Sequence, residues 1–423
     1  MRILRHSDPD FSEAVAALQR KAAPHPQVEN TVREIICAVR AEGDSALLEY
    51  TEHFGGPRLA AKQLRVNAKP KVDAATKDAI ATAHANVRDF ARRSLRESWS
   101  AKNSQGATVG ERFDPFQRVG IYVPGGTAPL VSTAVMTVTL AAAAGVPEIV
   151  VATPSDRGAK VNDALLFALS FCGATEVYQI GGAQAVAALA YGTASVKPVQ
   201  KIFGPGNAYV VEAKRQVFGQ VAIDLLPGPS EILVLADASA NAAWIAADLL
   251  AQAEHGKNSS ILFVTNSARL LKAVEAEITR QLATLSRQEA LAGVLEKDCA
   301  LILVKSLKNA VAIANDFAPE HISIVTRDDE KLAAQVLTAG AIFLGGYSPV
   351  AAGDFLAGPS HTLPTGGAGK SFPGLTVDMF QRRTSIVALD ARSLKKSAPT
   401  IVKFSEIEGL DAHGRSASIR FER

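Results

Sequence analysis

From residue 119 onwards, short runs of β-branched and other apolar residues alternate with alanine-rich stretches of helical length. The runs lie at 119–123, 148–152, 177–180 and 232–235, and then at 261–264, 301–304, 322–325 and 341–344. Strands separated by helices form right-handed crossovers, which place successive strands side by side in a parallel sheet. The alternation therefore predicts an α/β fold with two similar parallel-sheet units.

The chain on either side of this pattern has a different character. Apolar residues recur every three or four positions at 10–18, 28–50 and 73–93, which predicts helices in the N-terminal region. A Gly/Pro-rich stretch at 353–374 precedes a polar tail that is too short for a core of its own and must dock elsewhere, a partner chain being one option. The segments 179–188 (QIGGAQAVAA) and 343–352 (FLGGYSPVAA) resemble each other, which reflects either an internal duplication or chance.

Composition narrows the class of protein. The chain has 423 residues, 48% hydrophobic and 21% charged, which is typical of a globular protein with two or more domains. A net charge of +3 is too small to indicate a basic surface that binds nucleic acid or an acidic lipid bilayer. The apolar stretch 130–144 contains Ser and Thr and is shorter than the about 20 residues of a membrane span, so it predicts a buried helix.

The cysteines and the N-terminal sequence indicate the cellular compartment in which we expect the protein. Cys37, Cys172 and Cys299 are odd in number and widely separated, so they predict neither a disulfide framework nor a Cys-x-x-Cys metal pair. The N-terminus becomes polar too early for a secretory signal. We therefore expect a cytoplasmic protein without nucleic-acid or membrane partners.

The eight histidines divide into two groups by context. Four lie in the helical N-terminal region without informative neighbours and are interpreted as surface or packing residues: His6, His25, His53 and His84. Four lie beside carboxylates, carboxamides or glycines, as metal or acid/base sites require: His255, His321, His361 and His413. The second group supplies the candidates.

Gln252 and His255 form a possible metal-binding pair. A helix capped by Asp237 or Ser239 and stopped by Gly256 would place both on one face of its C-terminal end. By itself such a pair is more often a solvated or internally satisfied helix end, where the macrodipole also favours histidine. Asp354, in a glycine-rich loop, and His413, in the tail, could add an oxygen and a nitrogen, which together would suit zinc.

Glu320 and His321 are adjacent, just before the run 322–325. Two proton-handling groups of different pKa suit a reaction that both deprotonates an alcohol and activates water. An exposed acidic–basic pair is the alternative interpretation.

Three glycine clusters, at 122–126, 181–184 and 203–207, each follow a predicted strand and precede a predicted helix. Backbone N–H groups and the helix dipole at such positions can hold a diphosphate, which favours a nucleotide. The usual Gly-x-Gly-x-x-Gly fingerprint is missing, so tight turns remain an alternative explanation.

Taken together and in order, these motifs resemble the histidinol dehydrogenase family. The resemblance runs from about residue 115 to residue 413 and is carried by RVGIYVPGG (118–126), GPGN (204–207), GPSE (228–231), QAEHG (252–256), PEH (319–321), AGD (352–354), HTLPT (361–365) and EGLDAH (408–413).

The resemblance implies an activity and a set of site residues. The family oxidises L-histidinol through L-histidinaldehyde to L-histidine with two NAD, the last step of histidine biosynthesis. The implied zinc ligands, one ion per subunit, are Gln252, His255, Asp354 and His413. The implied catalytic groups are His321 for the alcohol proton and Glu320 for water. The zinc ligands and His321 are also implied to contact the substrate, together with Ser230, His361 and Glu408. The implied NAD contacts are Tyr122, Gln184 and Asn207.

The resemblance also implies an architecture of two incomplete Rossmann-like domains in a homodimer with shared active sites. Its segments are an N-terminal arm at 1–22, a first domain at 23–120 plus 236–374, a second, NAD-side domain at 121–235, and a tail at 375–423 that completes the partner's site. One alternative is a related zinc- and NAD-dependent dehydrogenase of another primary alcohol, such as a sulfopropanediol. Another is a binding module in which a structural zinc holds a dimer together.

Overall fold

The computed structural model describes residues 1–19, 26–125, 129–256 and 258–422. The predictions for His25 and Gly126 lie outside these ranges. The strands are β1 Arg2–Arg5, β2 Trp99–Lys102, β3 Thr108–Pro115, β4 Arg118–Tyr122, β5 Glu148–Ala152, β6 Glu176–Tyr178, β7 Lys201–Phe203, β8 Ala222–Ile223, β9 Glu231–Ala236, β10 Ser260–Thr265, β11 Cys299–Leu303, β12 His321–Val325, β13 Ala341–Leu344 and β14 Gln381–Ala388.

The helices divide between the two sides of these strands. They are α1 Phe11–Ala16, α2 Pro26–Glu42, α3 Asp44–His53, α4 Ala74–Ser94, α5 Val131–Ala143, α6 Asp163–Cys172, α7 Gly182–Tyr191, α8 Ala208–Val217, α9 Ala242–Ala253, α10 Ala268–Leu282, α11 Gln288–Asp298, α12 Leu307–Phe317, α13 Asp329–Ala333, α14 Val350–Phe355, α15 Ala391–Glu408 and α16 Asp411–Ser418. None of the helices in the described ranges is both long and apolar enough to cross a bilayer.

Two parallel sheets organise the molecule, as the alternation predicted. The five-stranded sheet has the order β6-β5-β4-β7-β8, and the six-stranded sheet has the order β1-β11-β10-β9-β12-β13. In each, the chain extends the sheet first on one side of a central strand and then on the other, which creates a switch point beside β4 and beside β9. The predicted fold class is confirmed, with a small antiparallel sheet, β14-β3-β2, in addition.

Helices cover both faces of both sheets, and the central strands are therefore buried along their whole length. β9 and β10 are buried at every residue, as the uninterrupted apolar runs require. On the five-stranded sheet, one core contains residues of α4, α5 and α6, and the other contains residues of α2, α3, α7 and α8. The predicted buried helix at 130–144 is α5.

Several local features differ from the sequence prediction. The predicted helix 28–50 is two helices, because Gly43 adopts a left-handed φ of 59° between α2 and α3. The N-terminal residues form β1, which pairs with β11 at the edge of the six-stranded sheet. Helices α2 to α4 pack on the five-stranded sheet, whereas the expected domain division groups 23–120 with 236–374.

The tail extends from the antiparallel sheet. β14 pairs with β3, and α15 then packs against α16. Large apolar side chains of this segment remain exposed in the single chain: Val387, Phe404, Ile407, Leu410, Ile419 and Phe421.

Candidate functional site

A cavity of about 440 Å³ lies between the amino ends of β9 and β12 on one side and the start of α5 with the loop before α8 on the other. We call it the inter-sheet cavity. Its volume is in the range of small-molecule sites. The residues singled out in the sequence that line it are Ser230, Gln252, His255, Glu320, His321, Asp354 and His361.

Glu320 is a buried carboxyl group at the start of β12. Its Oε2 accepts a hydrogen bond from the Ser230 hydroxyl at 2.6 Å and another from the Glu231 N–H at 2.8 Å. Burial raises the pKa of Glu320, and these two hydrogen bonds and the neighbouring His321 only partly oppose the rise. The carboxyl group is therefore a stronger base than an ordinary glutamate once it is ionised.

His321 has a defined tautomer. Its Nδ1 lies 3.0 Å from the carbonyl oxygen of Glu231, which only accepts hydrogen bonds, so Nδ1 carries the proton. Its Nε2 lies 3.7 Å from Oδ1 of Asp354, on the cavity side. The unprotonated Nε2 can therefore take a proton from a group bound in the cavity.

His361 is oriented from both ring nitrogens. Nδ1 lies 2.9 Å from the carbonyl oxygen of Asp354, and Nε2 lies 3.1 Å from the Thr133 hydroxyl of α5. Burial lowers the pKa of His361, which favours the neutral ring. This side chain thus connects α5 to α14 across the cavity.

The secondary structure around the expected metal ligands Gln252, His255 and Asp354 differs from the prediction. Asn241, and neither Asp237 nor Ser239, caps α9, because its side chain accepts hydrogen bonds from the N–H groups of Ala243 and Trp244. α9 ends at Ala253, so His255 lies in the turn that follows Gln252. Asp354 belongs to the short helix α14 and not to a loop.

Gln252, His255 and Asp354 carry donor atoms of the types that a divalent metal binds. Gln252 is buried, and its Nε2 has no hydrogen-bond partner within the described residues. The two ends of a carboxamide are assigned from hydrogen bonds alone, so an unbonded amide suits an oxygen ligand equally well. Together with the imidazole of His255 and the carboxylate of Asp354 it fits a zinc site in donor type. In the described ranges, no three His, Cys, Asp or Glu side chains form a metal cluster by themselves.

Glu408 and His413 lie elsewhere in the single chain. Glu408 is the last residue of α15, and His413 lies in the first turn of α16. Both are exposed, and neither is among the described residues that line the inter-sheet cavity. The structure of one chain therefore does not bring these two predicted residues to the others.

A second cavity, of about 380 Å³, lies at the carboxyl ends of β4, β6 and β7, beside the switch point of the five-stranded sheet. We call it the switch-point cavity. The three expected NAD contacts, Tyr122, Gln184 and Asn207, all line it. The glycine clusters lead from these strands into α7 and α8, as predicted, so backbone N–H groups at helix starts face this region.

The three side chains differ in how they are engaged. Tyr122 accepts a hydrogen bond from the Gly182 N–H at 3.1 Å, and burial raises the pKa of its hydroxyl. Asn207 caps α8 through Oδ1, which leaves its amide N–H groups as donors. Gln184 is buried, and its Oε1 has no partner within the described residues. An unbonded acceptor facing the cavity fits a ligand with hydroxyl or amide donors, such as a dinucleotide.

Asp248 and Thr133 are two polar residues of the inter-sheet cavity that sequence reasoning did not single out. Asp248 lies one helical turn before Gln252 and lines the cavity, and its i, i+4 spacing could have revealed it. Burial raises its pKa to about 6. Thr133, which contacts His361, lies within an apolar helix and carries no local signal.

Comparison with known proteins gives one consistent result. A sequence model of the histidinol dehydrogenase family matches residues 18–421. A histidinol dehydrogenase from Syntrophotalea carbinolica is 44% identical over 429 residues, which cover 100% of this chain and 99% of the relative. One from Geobacillus kaustophilus is 43% identical over 396 residues, or 93% of each chain.

Solved structures agree with the sequence relatives. The crystal structure of a histidinol dehydrogenase from Elizabethkingia anophelis has a TM-score of 0.94 at 32% identity and covers 99% of this chain and 98% of that one. An acetylating aldehyde dehydrogenase from Geobacillus thermoglucosidasius has a TM-score of 0.50 at 15% identity, covering 90% of this chain and 94% of that one, which shows similarity of fold alone.

Proposed function

The chain belongs to the histidinol dehydrogenase family, and we infer from that premise that it oxidises L-histidinol to L-histidine, the final step of histidine biosynthesis, with NAD as the oxidant. The observation that carries this function within the fold is the convergence of Ser230, Gln252, His255, Glu320, His321, Asp354 and His361 on one cavity.

The cavity's charge favours an amine-bearing substrate. Asp248, Glu254, Glu320 and Asp354 are among the described residues that line it, and no lysine or arginine is among them. A carboxylate-rich wall attracts an ammonium group, whereas a sulfonate requires arginine or lysine. L-histidinol therefore fits better than a sulfopropanediol.

We propose the following roles in the first oxidation. His321 takes the hydroxyl proton of L-histidinol at Nε2, because its Nδ1–H is fixed on the Glu231 carbonyl. The carbinol carbon gives up its hydrogen as a hydride, and L-histidinaldehyde results. Bound NAD would accept one hydride in each of the two oxidations. Tyr122, Gln184 and Asn207 would hold it in the switch-point cavity.

In the second oxidation, Glu320 takes a proton from the water that attacks the aldehyde. Both hydrogen bonds to this carboxyl group go to Oε2, which leaves Oε1 to face the water. The hydrated aldehyde, as the anion RCH(OH)O⁻ that this proton transfer leaves, then loses a hydride and becomes a carboxylic acid. The acid releases its remaining proton to give the carboxylate of L-histidine. The environment thus gives the two adjacent side chains different proton-transfer roles.

Zinc would be held by Gln252, His255 and Asp354, and by His413 from a second copy of the chain. When bound, it would coordinate the imidazole and amine of the substrate and so orient the carbinol carbon, and it would have no redox role. Glu408, from the same tail, would contact the substrate amine, and His361 and Ser230 would contact the substrate from within the chain.

The exposed tail supports a homodimer with shared sites. The exposed apolar side chains of α15 and of the residues that flank α16, among them Phe404 and Ile407, would be buried by a second copy whose tail reaches the inter-sheet cavity. His255 is also exposed in the single chain. In the proposed dimer the tail of the second copy, with His413, would lie beside it.

Product stoichiometry tests this function. We expect two NADH per L-histidinol consumed, with loss of activity on chelation and recovery on addition of zinc. One NADH per substrate would indicate a simpler dehydrogenase. A higher initial rate with a sulfonated diol than with L-histidinol would favour the alternative substrate class.

A further inference from the structure

Lys214 and Asp224 form a completely buried ion pair in the five-stranded unit. Lys214 lies on α8, Asp224 follows β8, and both side chains are 0% exposed. Removing two charges from water is costly unless hydrogen bonds satisfy both groups. Neither residue lines the inter-sheet cavity or the switch-point cavity, so neither has a direct role in the reaction described above.

The polar atoms of this pair converge on Gly204. Lys214 Nζ donates to the carbonyl oxygens of Gly204 at 2.9 Å and of Leu225 at 2.8 Å, in addition to its ion pair with Oδ1 of Asp224. Oδ2 of Asp224 accepts a hydrogen bond from the Gly204 N–H at 2.8 Å. One ion pair therefore holds both the N–H and the carbonyl group of a single glycine.

Gly204 begins the loop that connects the two cavities. Its φ of 103° is favourable only for glycine, and a Cβ there would collide with the carbonyl oxygen of Tyr122 at the end of β4. Pro205 lines the inter-sheet cavity, and Asn207 lines the switch-point cavity. A shift of Gly204 would therefore move a wall of each cavity.

We propose that Lys214 and Asp224 are positioning residues that fix the 204–207 loop in the place from which it holds the cofactor between the two cavities. The inference rests on the proposed function, because it requires NAD in the switch-point cavity. The pair acts through Gly204 and touches neither substrate nor cofactor.

A second ion pair in the same sheet provides a matched control. Arg118, the first residue of β4, donates to the two carboxylate oxygens of Glu176 at 2.9 and 3.0 Å. Its side chain is only 9% exposed. Because both residues begin parallel strands, this pair lies at the amino edge, opposite the glycine loops. Its loss should cost stability without moving the 204–207 loop.

The test compares the double variant Lys214→Met/Asp224→Leu with Arg118→Met/Glu176→Gln. Each removes a pair without leaving a fully buried lone charge, which is the change that folded proteins tolerate best. The readouts are hydrogen–deuterium exchange of residues 204–210, the Kd for NADH from its fluorescence without L-histidinol, and KM and kcat for both substrates.

We expect loop exchange, NADH Kd and KM for NAD to rise at least about tenfold in the Lys214/Asp224 variant, while zinc content stays within about twofold. The KM for L-histidinol should rise less than the KM for NAD, because Pro205 is the single residue of this loop that lines the inter-sheet cavity. The Arg118/Glu176 variant should lower the unfolding temperature and leave the loop and NADH binding unchanged. Asp224→Glu, which keeps the charge but displaces the carboxylate, should raise the NADH Kd about threefold and covers the case in which the double variant does not fold.

Wild-type values of loop exchange and NADH Kd in the folded Lys214/Asp224 variant would overturn the proposal. If that variant does not fold, a wild-type NADH Kd in Asp224→Glu would do the same. Equal changes in the control variant would show a purely structural role. Failure of the wild-type protein to reduce NAD would refute the proposed function instead, and loop exchange would still report whether the pair anchors Gly204.

Discussion

Glu320 and His321 are neighbours in the chain, yet their surroundings prepare them for different steps. The Glu231 backbone contacts both: its N–H donates to the Glu320 carboxylate, and its carbonyl accepts from His321. Burial raises the pKa of Glu320, while the hydrogen bond at Nδ1 sets which nitrogen of His321 is basic. The backbone of one residue of β9, Glu231, thus fixes the geometry of both proton acceptors.

The first prediction concerns Glu320→Gln. We expect the variant to form the first NADH but to slow the aldehyde step by about 10²- to 10⁴-fold, because the amide cannot take a proton from water. Single-turnover NADH per site should fall from two to one. Glu254→Gln, which changes another carboxylate of the same cavity, is the control and should retain both.

The pH dependence of the aldehyde step follows from the same group. The protonated carboxyl group cannot act as a base, so activity falls as pH drops through the raised pKa of Glu320. The acid limb should therefore lie above the range of an ordinary glutamate and should be absent from the residual rate of Glu320→Gln. An acid limb that persists in that variant would assign it to another group.

The second prediction concerns Asp248, whose pKa burial raises to about 6. The folded state binds a proton that the unfolded chain releases near pH 3.9, so the wild type loses stability as pH rises between about 4 and 6. Because the group is partly exposed, we expect Asp248→Asn to raise the free energy of unfolding at pH 7.5 by about 1 kcal/mol, with little effect at pH 4. Urea unfolding measures it.

Asp78→Asn, on the exposed side of α4, is the matched control. It removes a solvent-exposed carboxylate and should change the free energy of unfolding by less than about 0.5 kcal/mol at pH 7.5. An Asp248→Asn variant as stable as the wild type at both pH values would show that this carboxyl group is well solvated.

At the scale of helices and strands, prediction from sequence succeeded where burial dominates. β9, β10 and β12 are apolar runs buried on both faces, so their residue types alone reveal them. β1 is short and both its end residues are charged, and only its pairing with β11 makes it a strand. The split at Gly43 and the Asn241 cap depend on single backbone angles and hydrogen bonds, which periodicity does not report.

The candidate site shows a similar division. Motifs identified the expected residues, but nothing in their spacing brings Gln252 and Asp354 together, since the chain forms β10 to β13 between them. Long-range convergence is set by sheet order, which in turn depends on packing of whole helices. The roles of Thr133 and of the Lys214–Asp224 pair are of this kind.

The third prediction concerns α16. Deleting residues 411–423 should abolish zinc retention, because His413 is the proposed fourth ligand. His413→Asn should reduce zinc content in the same direction, whereas Arg420→Ala, an exposed change in the same segment, should not. Elemental analysis after dialysis gives the result. Unchanged metal content in the deletion variant would remove His413 from the ligand set.

At the scale of the whole molecule, the inter-sheet cavity lies at the amino edge of the six-stranded sheet, where Ser230, Glu231, Glu320 and His321 begin or precede β9 and β12. The usual crevice of an open α/β sheet lies at the carboxyl edge, as the switch-point cavity does in the five-stranded sheet. The amino edge of one sheet is thus placed against loops from the carboxyl edge of the other.

The fourth prediction tests shared sites. Glu320→Gln and His413→Asn homodimers should each lack full activity, but a mixture that exchanges subunits should regain about a quarter of the wild-type rate. Half of the dimers are then heterodimers, and in each of them one site combines an intact Glu320 with an intact His413. No gain on mixing would place both residues in the same chain's site.

The inter-sheet and switch-point cavities share no lining residue in the described part of the chain, and the 204–207 loop contributes a residue to each of them. With NAD in the switch-point cavity, as proposed, the aldehyde intermediate would stay bound in the inter-sheet cavity while NADH leaves and a second NAD binds. The two oxidations would then require a single binding event of L-histidinol, and the reactive aldehyde would not be released into solution.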